Sequence, residues 1–210
     1  EPEEVAEALQ YCETDFIEAA KKMKAIGKYM TGIPDTSADG FVRLLLQAGG
    51  GFFDGNGDVA FDDEISQRVM EFYAKLSKEG YGKHIDQFDP EFFADIQNGE
   101  IASLWAPDWY VNGFLKLNAA DTAGKWGAVP LPAWDEGGIR TSTQGGTMPA
   151  ITAQSKNKDL AWKFLEFAWL TTDNPVKMYK YRALPANLEA LENPLFHEPD
   201  PLFGGQQLGS

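Results

Sequence analysis

The chain has 210 residues, 43% of them hydrophobic and 13% aromatic, enough to fill the core of one domain or slightly more. Eighteen basic residues against 32 acidic ones leave a formal charge of −14, a field that repels phosphate backbones and anionic headgroups, so neither nucleic acid nor a membrane surface is an expected partner. The single cysteine, Cys12, has no nearby Cys or His, which excludes a disulfide framework and a thiolate metal site; no metal or cofactor is expected. No apolar run approaches the roughly 18 residues of a bilayer span, and the first residue is Glu1 rather than Met, which predicts a processed protein or a fragment.

In chain order, TDFIEAAKKMKAIG offers Thr14 as N-cap, an apolar face of Phe16, Ile17, Ala20 and Met23, and Gly27 as a stop, and so predicts a helix. KYMTGI reads as a short strand entering the turn Pro34 to Ser37, and ADGFVRLLLQAG as a buried helix ended by Gly49 to Gly51. Asp62 is positioned to cap the next helix, whose stripe is Ile65, Val69, Phe72 and Leu76, with Gly80 at its end. The short helix PEFFADIQNG precedes a strand-like IASLW. KWGAVPLP and TMPAITAQS read as further strands, and DLAWKFLEFAWL as a long aromatic helix. Alternating strands and helices predict an α/β sheet covered by helices. From Asn174 onward five prolines divide the chain into pieces too short to bury a face alone.

The run DGNGDVAFDDEI has Asp54, Asn56 and Asp58 at the spacing of a calcium loop, but Val59 stands where that loop needs glycine and Ile65 where it needs glutamate. Its GNGDVA also matches a dinucleotide fingerprint in form, yet the strand-like VAF follows in place of the helix that would face a pyrophosphate. A hairpin or turn is expected here. Nucleophilic catalysis has no supporting motif, and His84 and His197 fall in unrelated polar loops.

The aromatic helix is apolar over most of its circumference, which predicts burial on both sides. LWAPDWY, residues 104–110, differs: it follows a strand, where open α/β sheets present ligand crevices, and it sets Trp105, Asp108 and Trp109 together. An indole can cover the C–H face of a sugar while a carboxylate accepts from its hydroxyls, so the group fits carbohydrate as well as it fits core packing.

Ordered pieces over most of the chain, TDFIEAAKKMKAIGKY, LLLQAGGGFFDGNGDVAFD, FFADIQNGEIASLWAPDW, GAVPLP and TSTQGGTMPAITAQSKNKDLAWKFLEF, resemble the extracellular solute-binding proteins of ABC transporters, in the group of carbohydrate and maltose-binding receptors. The resemblance implies a periplasmic-binding-protein-like α/β fold of type II, here a single lobe with a mixed central sheet flanked by helices. Residues 1–27 would form the helix that follows the first lobe, 28–203 the second lobe, and 204–210 the start of the crossover back.

Members bind solute between two lobes, deliver it to a membrane permease and do no chemistry. By that resemblance Trp109 is similar to the cleft tryptophan that stacks on a sugar, with Asp108 and Trp105 beside it. Gln144, Gly145 and Gly146 resemble a glycine pair whose backbone approaches the ligand, although relatives carry an aromatic where this chain has Gln144. Asp35 and Thr36 fall in a cleft-lining loop, and Arg182 resembles a basic position near the mouth. The implied partners are a sugar or oligosaccharide and ABC permease subunits, the implied state a monomer, and the implied place extracytoplasmic. A first lobe and export signal are expected before Glu1 and more helix after Phe203 to Gln206, so that this chain, as one wall of a cleft, would bind only at millimolar strength or weaker, by order of magnitude. Two readings stay open beside it: a carbohydrate-active hydrolase using Asp108, and a lobe for a peptide or polyamine.

Overall fold

The computed structural model describes residues 1–146, 148–179 and 184–208. They gather into two compact units, one formed by Glu1–Trp105 with Val129–Gln144 and the other by Ala106–Ala128 with Gly145–Ser210.

In the first unit, helix α1 (Pro2–Ala8) leads through a π-helical turn, Cys12–Phe16, into α2 (Ile17–Ala25). The predicted face is buried at Phe16, Ile17 and Ala20. Thr14 is not the cap. The Asp15 carboxylate accepts from the backbone N–H groups of Gln10 and Tyr11 at 3.0 and 2.9 Å, and so turns the chain into the helix from inside its first turn. Strand β1 (Thr31–Ile33) follows, then α3 (Asp39–Gln47), which buries Phe41, Leu44 and Leu45.

Residues 53–59 form the expected hairpin, bridged antiparallel between Phe53 and Val59, and Asp54 Oδ1 accepts from the N–H groups of Asn56 and Asp58 at 2.8 and 2.9 Å. Helix α4 (Glu64–Lys78) is capped by Asp63, one residue later than expected, whose Oδ1 accepts from Ser66 N at 2.7 Å. Its stripe buries Val69, Phe72 and Leu76, while Ile65 in the first turn stays exposed. Strand β2 (Gly82–His84) pairs parallel with β1 in the register Thr31 to Gly82 and Ile33 to His84, and α5 (Pro90–Gln97) returns the chain. His84 therefore lies in a strand rather than in a polar loop. On the other side of β1, Tyr29 bridges Ile101, and the N–H groups of Ala102 and Ser103 donate to the carbonyls of Tyr29 and Met30 at 2.9 Å. The predicted strand IASLW is thus one bridge with two flanking hydrogen bonds.

The stretch 125–132, predicted as a strand, is not one. Pro130 and Pro132 lack the N–H groups a ladder needs. It is held by a backbone bond, Leu131 N donating to Arg140 O at 2.9 Å, and by side chains: the amide of Gln47, buried at the end of α3, donates to Pro132 O at 2.7 Å and to Ile139 O at 2.9 Å. Cys12 Sγ donates to the same Pro132 carbonyl at 3.0 Å. Arg68 on α4 closes the edge, meeting Glu13 at 2.6 Å and Asp135 at 3.0 Å, and both carboxylates raise its already high pKa.

In the second unit, α6 (Asp108–Tyr110) runs through a π-helical turn, Val111–Leu115, into α7 (Lys116–Asn118), burying Tyr110 and Leu115. The described part of 147–155, also predicted as a strand, pairs with nothing in a ladder. Helix α8 (Lys158–Leu165) continues into the π-helical turn Glu166–Leu170, and α9 (Asp173–Tyr179) follows. The expectation that this aromatic helix is sandwiched in a core fails. Leu160 is 69% exposed, Phe164 60% and Phe167 61%, and Ala168 alone is buried among the described residues of 158–170.

Candidate functional site

Strands β1 and β2 end side by side, and the segments leaving them close over a cavity of about 40 Å³ within the first unit. Carboxyl ends of parallel strands are where α/β sheets open to ligands. Gly32 and Pro34 come from β1 and its turn, and Asp86 follows β2. Gly40 and Arg43 come from the first turns of α3, and Trp105 supplies an aromatic side. The turn is shaped locally: Ser37 Oγ accepts from Asp39 N at 3.1 Å where α3 begins. Thr36 Oγ1 donates to Asp86 Oδ2 at 2.5 Å, joining the two strand-end loops. That hydroxyl, with the N–H of Phe88, holds the Asp86 carboxyl below the usual carboxylate range.

Arg43 is the unusual member. It is 8% exposed, and burial lowers its pKa to about 10. One Nη donates to the Trp105 carbonyl, and the Arg43 carbonyl accepts from Ser142 Oγ at 2.6 Å. Its Nε has no partner among the described residues, nor has the hydroxyl of Tyr73, which lines the same cavity.

Of the residues expected in a site, Trp105 lies both in the core edge and on the cavity: its ring sits 5.3 Å from that of Phe16 by centroids, and it lines the cavity as well. Asp35 and Thr36 are exposed in the loop beside it. Gln144 is half-buried and belongs to the first unit. Asp108 and Trp109 belong to the second unit, both half-buried. The Trp109 ring meets Tyr110 and Phe114 edge-on at 6.0 and 6.2 Å, and the Asp108 carboxylate accepts from the backbone N–H of Leu184. Gly145 and Gly146 are exposed with φ of 77° and 133°, backbone that side-chain-bearing residues rarely adopt. Arg182 lies outside the described residues. Sequence reasoning missed Arg43, Tyr73, Gly40 and Asp86. The lone cation inside the apolar run FVRLLL was the available signal for the first.

One further cluster has the connectivity of a hydrolase triad: Ser77 Oγ lies 2.8 Å from His84 Nε2, and His84 Nδ1 lies 2.6 Å from Asp35 Oδ1. Ser77 stands at the C-terminal end of α4, where the backbone presents carbonyls rather than the N–H donors an oxyanion requires. None of the three lines the cavity. The second unit holds a larger cavity of about 430 Å³. Two of its lining charges are matched to each other: Lys116 Nζ meets Asp200 Oδ2 at 2.6 Å and also reaches Asn112 Oδ1 at 2.9 Å.

The family profile described as bacterial extracellular solute-binding protein matches residues 13–173. The chain belongs to this family. An arabinooligosaccharide-binding protein of Halalkalibacterium halodurans is 31% identical over 198 residues, which is 90% of this chain and 44% of that protein. Among solved structures, an ABC transporter associated binding protein from B. animalis subsp. lactis, in complex with beta-1,6-galactobiose, superposes with a TM-score of 0.79 at 26% identity, over 96% of this chain and 52% of the other. The galacto-N-biose-/lacto-N-biose I-binding protein of Bifidobacterium longum gives 0.78 at 25% identity, over 95% and 49%. The fold is that of type II periplasmic-binding proteins, and the chain spans about half the length of the relatives it matches.

Proposed function

We propose that the chain is part of the solute-binding component of an ABC importer, working outside the cytoplasm, and that it binds a sugar or oligosaccharide without transforming it. The observation that carries this reading is the 31% identity, over 90% of the chain, to an arabinooligosaccharide-binding protein. The cavity at the ends of β1 and β2, with an indole on one side and carboxylates at its rim, suits a neutral polyol. Asp35, Thr36, Trp105, Asp108, Trp109 and the Gln144 to Gly146 segment remain the proposed ligand contacts, and permease subunits the proposed protein partners.

A glycosidase is less well supported. Its general acid needs a raised pKa, whereas Asp86 in the cavity is lowered and Asp108 is engaged by a backbone N–H.

Tryptophan fluorescence during titration at 0.15 M salt tests the reading, with arabinooligosaccharide, beta-1,6-galactobiose, a dipeptide and spermidine as ligands. Saturation by a saccharide at millimolar concentrations is expected for a chain carrying part of a site. Saturation by the dipeptide or spermidine alone, or hydrolysis of a chromogenic glycoside that Asp108→Asn abolishes, overturns it.

A further inference from the structure

The cavity contains an imbalance that folding alone does not explain. Arg43 Nε and Tyr73 Oη are both shielded from solvent, both lack a partner among the described residues, and both belong to side chains lining the same space. Burying a donor unmatched is unfavourable, and native chains rarely leave two in one place without use. Gly40 preserves the arrangement: a Cβ there would lie 2.7 Å from the Tyr73 oxygen, so any larger residue would press on the hydroxyl.

We propose that Arg43 and Tyr73 form a subsite for one uncharged hydroxyl-bearing arm of the ligand, with Arg43 Nε donating to the arm's oxygen and Tyr73 Oη exchanging a hydrogen bond with it. The inference rests on the saccharide reading above and names the part of a saccharide that this cavity takes. Its size sets the first limit. About 40 Å³ holds two or three waters, or a hydroxyl or hydroxymethyl group, but not a sugar ring, so the ring lies outside and one arm enters. Charge sets the second. Asp39 and Asp86 line the cavity with a single guanidinium between them in sign, so a carboxylate or phosphate arm meets net repulsion, while a neutral hydroxyl meets donors and acceptors both. Seclusion from bulk water strengthens whatever bond forms there.

The test is Tyr73→Phe, which removes only the unpartnered oxygen. Titration of the 210-residue chain with arabinooligosaccharide, followed by tryptophan fluorescence, is compared for wild type and variant, alongside the thermal midpoint without ligand. The affinity is expected to fall about two- to tenfold while the ligand-free midpoint is unchanged or rises, because the lost hydroxyl bonds nothing among the described residues. Arg43→Lys, which keeps the charge and removes Nε, is expected to weaken the same ligand. An oligosaccharide oxidised to a uronic acid at its primary hydroxyls is expected to bind at least about tenfold more weakly than its neutral parent. Equal affinity in wild type and Tyr73→Phe overturns the subsite while leaving saccharide binding intact. A wild-type chain that saturates with no saccharide overturns the functional reading and the subsite together.

Discussion

Lys83 Nζ lies 2.6 Å from Asp95 Oδ2, joining β2 to α5, and Glu91 approaches the same ammonium at 3.0 Å. The two pairs differ in solvent. Asp95 has a side chain 12% exposed, Glu91 one 71% exposed, and together they raise Lys83 to about 12, Asp95 contributing most. Removing the buried carboxylate strands a half-buried cation, so Asp95→Ala is expected to destabilise by about 1–3 kcal/mol. Glu91→Ala, at the wet end of the same ammonium, is expected to change stability by less than about 1 kcal/mol. Urea unfolding midpoints of the two variants decide this, and equal losses would refute the distinction.

Gly40 supplies a packing prediction. Alanine favours a helix over glycine by about 1 kcal/mol, but its methyl would sit 2.7 Å from Tyr73 Oη and 3.0 Å from Cε2. Overpacking of that kind costs about 1–3 kcal/mol, so Gly40→Ala is expected to be destabilising on balance. The loss should shrink in a Tyr73→Phe background, where the nearest clash is gone. A double-mutant cycle in denaturant reads the coupling, and strict additivity would contradict the close approach.

How much of this was legible in the sequence depends on whether the signal was local. The stripe of α4 and the turn at Asp54 carry their own instructions, a 3.6-residue repeat and an Asx side chain, and both are where expected. The cap of α4 shifted by one residue because adjacent Asp62 and Asp63 offer the same chemistry. Strands fared worse, because a ladder needs a partner far along the chain: 101–105 found one bridge, and 125–132 carried two prolines that should have counted against it. Trp105 was weighed as core or ligand surface, and the structure packs it against the core while it also lines the cavity. Tyr73 gave no sign at all, since nothing in its neighbours' identity tells that its hydroxyl lacks a partner among the described residues.

Cys12 gives the pH prediction. Burial pushes its thiol up to about 12, far above the roughly 8.5 of an unfolded chain. Between these values the folded chain keeps a proton that the unfolded chain releases, so stability is full below about pH 8.5 and falls as pH rises toward 12. The slope is expected to reach at most about 1.4 kcal/mol per pH unit. Unfolding free energies from pH 8 to 11 should therefore decline more steeply for wild type than for Cys12→Ala. A thiol reagent should react slowly with the native chain, and rapid native labelling would contradict the buried, hydrogen-bonded thiol.

Helix α8 gives the last prediction. With Leu160, Phe164 and Phe167 turned out to solvent, the chain carries an apolar face unusual for an isolated globule. Leu160→Glu with Phe164→Glu is expected to lower binding of a hydrophobic dye several-fold while moving the thermal midpoint by no more than about 2 °C, since neither side chain is buried. A large drop in the midpoint would mean that these residues are packed after all.

The pairing of Thr31 with Gly82 has a kinetic consequence. Helices α3 and α4 lie between the two strands in the sequence, so β1 cannot find β2 as a hairpin would, by zipping from a tight turn. The intervening chain must first contract, and the entropy of closing so long a loop is repaid only when both helices have docked. Since the walls of the cavity come from both strand ends, it assembles late on the route from the unfolded chain, after the helical layer that brings its two sides within reach.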